Sequence, residues 1–230
     1  MQDLQLRTPA TRRSPLARRS TFSVYRETLS AVAALVETRD PDGHDHLARI
    51  RAYCRHITDG LDARPRIGRP MAAGFAELVV EASTLHDIGK ATVPDRILLK
   101  PGPLTRREIS QMRGHAEAGF RILSRITRRI GSHPFLRVAC DITRYHHERW
   151  DGNGYPNGLS GHRVPLAARI VAVADVFDAL VSRRCYKPAI PVDDAFEIIK
   201  GGSGAHFDPV VVAAFTSARK PIAAVAAGAG

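Results

Sequence analysis

The chain has 230 residues, of which 44% are hydrophobic and 25% are charged, a composition typical of a globular fold and too apolar for wholesale disorder. No segment approaches the roughly 20 uncharged apolar residues of a membrane span, and no apolar segment of a secretory signal follows the N-terminal arginines. Three widely spaced cysteines exclude a disulfide framework and a zinc knuckle, so a reducing, cytoplasmic location is expected.

The positive charge is divided between a short N-terminal arm and the rest of the chain. The formal net charge is +11, and residues 1–20 contain five arginines without apolar periodicity. We therefore predict a disordered basic arm at residues 1–20, one domain at residues 21–220 and a flexible Ala/Gly-rich tail at residues 221–230. The positive field favours an anionic ligand, either a phosphorylated small molecule or nucleic acid.

Apolar residues spaced by three and four predict helices along the whole domain. The predicted helices begin near Phe22, His46, Phe75, Thr105, Pro134, Leu166, Asp193 and Asp208. The third helix is predicted to end at Gly89, and residues 166–182 are apolar on nearly every side, as expected of a central buried helix. No segment alternates with a period of two for the length of a strand. The predicted fold is therefore all-α, a single bundle of about seven helices.

Histidines and aspartates fall on the inward faces of these predicted helices. Taken singly, an inward histidine is usually a hydrogen-bonded core residue, but five histidines and two aspartates on five helical segments need a common explanation. Buried charges are paired or bind metals, and imidazole with carboxylate is a ligand set for iron, manganese, zinc or nickel. The candidate ligands are His46, His86, Asp87, His115, His146, His147 and Asp175.

The number of candidate ligands is sufficient for two ions. If Asp87 bridges the ions, each ion has several protein ligands and positions remain open for substrate oxygens. This arrangement is typical of a two-metal hydrolase, in which an oxygen nucleophile attacks phosphorus while the ions neutralise the developing charge. The sequence thus predicts a bundle of helices around a metal centre.

Two motifs resemble signatures of a known enzyme family. Residues 86–90 (HDIGK) resemble the HDxGK signature of the HD phosphohydrolase superfamily, and residues 146–156 (HHERWDGNGYP) resemble the HHExxDGxGYP signature of its HD-GYP branch. The similarity extends from about residue 39 to residue 215. It implies an all-helical phosphodiesterase that hydrolyses the bacterial second messenger cyclic di-GMP to linear pGpG, or onward to GMP.

The resemblance also implies roles for the candidate ligands. The family's metal ligands fall on the seven residues named above, with Asp87 as the bridge, and the expected cofactors are two divalent ions, iron or manganese. Members with a third ion carry a glutamate four residues before the first histidine ligand. Asp42 stands there and is a further candidate ligand, but its shorter side chain argues against a third ion. His44 competes with His46 for the role of first ligand.

The same resemblance implies which residues bind the phosphates of the substrate. Lys90 would hold a non-bridging phosphate oxygen and, with Asp87, is the predicted catalytic pair. Arg184 and Lys187 match an arginine and a lysine that bind the phosphates. Two positions depart from the family pattern, since Arg183, before this pair, replaces an aspartate and Cys185, between them, replaces a proline. The GYP loop, residues 151–158, is predicted to be a rigid lip whose tyrosine contacts a substrate or a signalling protein, or is purely structural. The residues that carry its motif are Asp151, Gly152, Gly154, Tyr155 and Pro156.

The predicted mechanism is attack by a metal-bridging hydroxide in line with the departing ribose 3′-oxygen. Three alternatives stay open. The first is the same chemistry on another cyclic dinucleotide or nucleotide. The second is a non-catalytic module that binds cyclic di-GMP or a protein, which the complete ligand set disfavours. The third, and the least favoured, is nucleic-acid binding through the arginine-rich arm.

Overall fold

A computed structural model describes residues 21–39, 45–63, 71–182 and 189–228. The predictions for the basic arm and for Asp42, His44, Arg184 and Lys187 lie outside these residues. The described part contains ten α-helices and no β-strand, which confirms the all-α prediction. The helices are α1 (Thr21–Glu37), α2 (His46–Asp62), α3 (Phe75–Ala82), α4 (Asp95–Leu98), α5 (Arg106–Ile130), α6 (Pro134–Tyr145), α7 (Leu166–Val181), α8 (Val192–Gly201), α9 (Pro209–Ser217) and α10 (Arg219–Ala226).

Local sequence signals determine where several helices begin. Helix α5 has the predicted capping box, in which the Thr105 hydroxyl accepts from the Glu108 N–H at 3.3 Å and the Glu108 carboxylate accepts from the Thr105 N–H at 2.8 Å. Pro134 occupies the first turn of α6. The Asp208 carboxylate caps α9 by accepting from the Val210 N–H at 2.8 Å.

Helix α7 lies at the centre of the bundle, as its sequence predicts. Nine of its residues are buried, and Phe177 makes an edge contact with Tyr53 of α2 at a ring separation of 5.3 Å. Phe196 of α8 and Phe215 of α9 stack on each other at 4.6 Å beside it. This aromatic cluster fixes α2, α8 and α9 around α7.

Two features of the fold differ from the sequence prediction. Helix α3 ends at Ala82, and short 3₁₀ turns at Ser83–Leu85 and Ile88–Thr92 follow where a continuous helix to Gly89 is predicted. Residues 221–226, which the sequence analysis assigns to a flexible tail, belong to α10 in the structure. The Ile222 side chain of α10 is fully buried and Val225 packs against the same core, so these apolar contacts anchor the short helix.

Helices α9 and α10 meet at a bend of 76°. Among the described residues, no single helix has the length and hydropathy of a membrane span, and this bent pair reaches them only when its two parts are taken together.

The segment that carries the HD motif lies directly against α5. A Cβ atom at Gly89 would overlap the carbonyl oxygen of His115, and one at Gly119 would overlap the Thr143 side chain. Glycine at both positions therefore allows the Ile88–Thr92 turn, α5 and α6 to approach one another more closely than any other residue would permit. This approach brings Asp87 next to His115.

Candidate metal centre

All seven candidate ligands meet in one region, although they come from five separate segments. His46 begins α2, His86 and Asp87 lie between two 3₁₀ turns, His115 is in α5, His146 and His147 follow α6, and Asp175 is in α7. Their ligand atoms form two groups, and within each group all atoms lie within 4.8 Å of one another. The first group is Asp87, His115, His146 and His147, and the second group is His46, His86 and Asp175.

Asp87 connects the two groups. Its Oδ1 atom lies 3.1 Å from Nε2 of His115 and 3.6 Å from Nε2 of His146, both in the first group. Its Oδ2 atom lies 3.3 Å from Nε2 of His86, in the second group. The second group is itself compact, since Nε2 of His46 and Nε2 of His86 are 3.4 Å apart. One carboxylate oxygen thus faces each group, the geometry that a bridging ligand requires.

Four of the five imidazoles are oriented by a hydrogen bond at Nδ1. His86 donates to the Ser83 carbonyl at 2.9 Å, His115 to the Met112 carbonyl at 2.8 Å, and His146 to the Ile142 carbonyl at 3.0 Å. A carbonyl oxygen only accepts, so Nδ1 carries the proton in these three residues and Nε2 presents a lone pair to the centre. A metal-binding histidine has this same arrangement.

The centre contains polar atoms that protein partners leave unsatisfied. Oδ1 of Asp87 and Nε2 of His115 and His146 are buried and have no hydrogen-bond partner in the described part of the chain. Lone pairs of imidazole and carboxylate face one another here, which is unfavourable in a buried region unless a cation lies between them. The donor set is nitrogen and oxygen without sulfur, as iron, manganese or zinc would accept. These residues fit a metal centre.

The electrostatic environment favours the ligand forms of Asp87, His146 and His147. Burial raises the pKa of Asp87, but Lys90, whose Nζ lies 2.8 Å from Oδ2, and His86 lower it more, so the pKa falls well below its usual range. Burial lowers the pKa of His146 and of His147. Burial also lowers the pKa of His86, but the charge and hydrogen bond of Asp87 and the charges of Asp175 and Glu37 together outweigh burial and raise the pKa to about 9. A metal ion bound at this position would replace a proton.

Asp178 is a functional residue that the sequence analysis missed. Its buried carboxylate accepts from Nδ1 of His46 at 2.7 Å and from Nε of Arg49 at 2.6 Å, and it thereby orients the fourth imidazole. Burial raises the pKa of Asp178, but the hydrogen bonds from His46 and Arg49 outweigh it and lower the value to about 2. The available signal was the spacing of Asp175 and Asp178, because residues three apart share a helix face.

Arg39, two residues after the C-terminal end of α1, holds the turn that carries Lys90. The Arg39 guanidinium donates to the carbonyls of Lys90 and Ala91 at 3.2 Å each and to the carbonyl of Val93 at 3.1 Å. Glu37, the last residue of α1 and two residues before Arg39, is half-buried near the centre, and burial raises its pKa. Neither Arg39 nor Glu37 belongs to a motif that the sequence analysis used.

The GYP loop lies beside the first ligand group. The buried Glu148 carboxylate accepts from the backbone N–H groups of Asn157 at 2.7 Å and Leu159 at 3.0 Å, which closes the loop. A Cβ atom at Gly154 would overlap the backbone of residues 148 and 149, so this position requires glycine. The Tyr155 ring stacks on the His147 imidazole, with centroids 4.7 Å apart and an angle of 24° between the planes. Contact of this loop with a signalling protein stays a prediction.

Comparison with known proteins agrees with the fold. A model of the HD domain family matches residues 30–211, so the chain belongs to the HD domain family. It is 42% identical over 197 residues to a cyclic di-GMP phosphodiesterase of Vibrio cholerae serotype O1, covering 86% of this chain and 40% of the relative. It is 43% identical over 196 residues to a cyclic di-GMP phosphodiesterase of Thermotoga maritima, covering 85% of this chain and 50% of the relative.

A solved structure has the same fold. The crystal structure of a cyclic GMP-AMP specific phosphodiesterase of V. cholerae aligns with a TM-score of 0.60 at 15% sequence identity. The alignment covers 87% of this chain and 50% of that chain. This chain therefore spans half or less of the length of the relatives described here.

Proposed function

We propose that this chain is a metal-dependent phosphodiesterase that hydrolyses cyclic di-GMP to pGpG, with GMP as the product of any second cleavage. The observation that carries the proposal is the pair of ligand groups joined by the Asp87 carboxylate. Relatives at 42% and 43% identity are named cyclic di-GMP phosphodiesterases, and this supports the choice of substrate.

The proposed ligands are the seven residues of the two groups, and the proposed cofactors are two divalent ions, iron or manganese. Such ions supply Lewis acidity, which activates water and neutralises charge on the phosphate. The seven side chains hold the centre in a buried region where these electrostatic effects are strong. Because Asp42 lies outside the described residues, a third ion is not part of the proposal.

Positively charged side chains of the protein bind the phosphates of the substrate. Lys90 is 20% exposed and places its ammonium group 2.8 Å from Asp87 Oδ2, where it can donate to a non-bridging phosphate oxygen. Arg184 and Lys187 are proposed to hold the phosphates from the segment that precedes α8. Water adds across the bond between phosphorus and the ribose 3′-oxygen. The hydroxyl group joins phosphorus, and the proton goes to the departing oxygen.

The test measures metal content and product on one sample. Protein purified with iron or manganese is expected to contain two ions per chain and to release pGpG from cyclic di-GMP. His86→Ala and Asp87→Ala are expected to lower the rate at least about 100-fold, because each removes a ligand whose ion contributes several kcal/mol to the transition state. His56→Ala, in the same bundle but outside the centre, is the matched control. Full turnover by the Asp87→Ala enzyme would disprove the proposal.

A substrate panel separates the closest alternative. The aligned structure is of an enzyme specific for cyclic GMP-AMP, so the panel includes that compound with cyclic di-GMP and cyclic di-AMP. Faster hydrolysis of cyclic GMP-AMP than of cyclic di-GMP would support the proposed reaction but identify a different substrate. Tight binding of cyclic di-GMP without any hydrolysis in the presence of two bound ions would instead indicate a non-catalytic binding module.

A further inference from the structure

His147 differs from the other four imidazoles of the centre. Each of the other four has a hydrogen-bond acceptor at Nδ1, whereas no such acceptor of His147 is found within the described residues. Its ring is instead stacked on Tyr155, with centroids 4.7 Å apart. The backbone N–H of Tyr155 also donates to the His147 carbonyl at 3.2 Å. One residue of the GYP loop thus contacts both the ring and the backbone of His147.

A third layer lies on the other side of the tyrosine. The guanidinium carbon of Arg113, an exposed residue of α5, lies over the Tyr155 ring at 4.9 Å from its centroid. Since the imidazole already occupies one face of the ring, the guanidinium lies on the opposite face. A cation over an electron-rich aromatic face is attracted to it, so Arg113 keeps the Tyr155 ring in place. We call the three side chains of Arg113, Tyr155 and His147 the stacked column.

We infer that Tyr155 is a positioning residue for His147, and that Arg113 supports it as the outer layer of the stacked column. The inference rests on the proposed metal-dependent function. A ligand imidazole needs a fixed ring orientation, which the other histidines obtain from a hydrogen bond at Nδ1. In His147 the stacking contact with Tyr155 fixes the orientation of the imidazole instead, because stacking restricts rotation of both rings. The tyrosine of the GYP loop therefore acts inside the molecule, on the first ligand group.

The rest of the GYP loop is held independently of the tyrosine ring. Glu148 binds two backbone N–H groups of the loop. The N–H groups of Trp150 and Asp151 donate to the carbonyls of His206 and Ala205 at 3.0 Å and 2.8 Å. Shortening the Tyr155 side chain should therefore release the imidazole without unfolding the loop, and this makes the inference testable by substitution.

The experiment titrates metal-free, full-length protein with Mn²⁺ and follows binding by calorimetry. We expect wild type to bind two ions and Tyr155→Leu to bind one of them about 10- to 100-fold more weakly, the usual effect of removing the support of a metal ligand. Tyr155→Phe keeps the ring and is expected to restore binding to within about threefold of wild type. Circular dichroism and thermal melting of each variant report whether the fold is intact.

Variants of α5 test the outer layer separately. Arg113→Met removes the cation but keeps the tyrosine, and we expect a smaller loss of affinity for the same ion. Arg121→Met makes the same change of charge at another exposed position of α5 and is expected to leave both ions unaffected.

The outcomes separate this inference from the proposed function. Wild-type affinity for both ions in Tyr155→Leu would overturn the inference and leave the proposed function standing, and so would an equal loss of both ions. Failure of Tyr155→Phe to restore binding would also overturn it, because the ring would then not be the feature that matters. A wild-type protein that binds no Mn²⁺ would overturn both.

Discussion

At the scale of single residues, the centre depends on side chains that contact no ion themselves. Asp178 is 1% exposed and connects His46 to Arg49 through hydrogen bonds of 2.7 Å and 2.6 Å. The seven proposed ligands could be found from the sequence because histidines and aspartates at inward positions are unusual in a helical core. Asp178 was missed, because its spacing of three residues from Asp175 indicates a shared helix face but not the distant side chains with which it pairs.

Asp178→Asn is expected to weaken the second ligand group. An amide keeps one acceptor but loses the charge that pairs with Arg49 and fixes His46. Breaking a buried pair from one side destabilises a protein by about 3–5 kcal/mol, and loss of a ligand's support weakens metal binding about 10- to 100-fold. Chemical denaturation and Mn²⁺ titration measure the two effects. Asp141→Asn removes the same charge at a half-buried position of α6 and serves as the control. Unchanged affinity for both ions in Asp178→Asn would contradict this role.

At the scale of helices, the type of secondary structure was easier to predict from the sequence than the residues at which each helix begins and ends. The capping box of α5 and the proline of α6 are local signals, so the starts of these helices could be read directly. The early end of α3 could not, because the apolar spacing continues through Leu85 and Ile88 while the backbone changes to 3₁₀ turns. The second of these turns packs against α5, and no local pattern encodes a contact between segments that are distant in sequence.

Gly89→Ala is expected to separate the HD segment from α5. The added Cβ would overlap the His115 carbonyl, so one of the two backbones must move. We expect a loss of about 1–3 kcal/mol in the free energy of unfolding, as for other overpacked sites, together with weaker Mn²⁺ binding. Gly114→Ala, at an open position of the same α5 helix, is expected to be neutral or stabilising by up to about 1 kcal/mol. Equal stability of the two variants would show that the close approach is unimportant.

At the scale of the whole molecule, the ligand groups join segments that are far apart in sequence. His46 and Asp175 belong to one group, although more than half of the chain lies between them. The inward positions of the histidines and aspartates predicted this convergence, and the spacing of the apolar residues predicted the helical fold. The number of helices and the buried α10 were not predicted, because short helices rich in small residues have the composition of a flexible tail.

Ion binding should therefore stabilise the whole fold. A ligand that binds only the native state adds about 2.7 kcal/mol at a free concentration 100 times its Kd. For a domain of this size, that corresponds to a rise in Tm of about 5–10 °C. Calorimetry with Mn²⁺ and after chelation measures the difference, and Asp87→Ala is expected to show little of it. Identical melting of the chelated and Mn²⁺-loaded wild type would argue against a shared centre.

The hydrogen bonds at Nδ1 of His86, His115 and His146 have a consequence for how the centre is assembled. Each acceptor lies only three or four residues before its histidine, so the orientation of the ring is determined within a single turn of the backbone. Tertiary packing has only to bring these three oriented rings together. The ligand side chains would then be preorganised, and the chain would need little rearrangement to bind a metal ion.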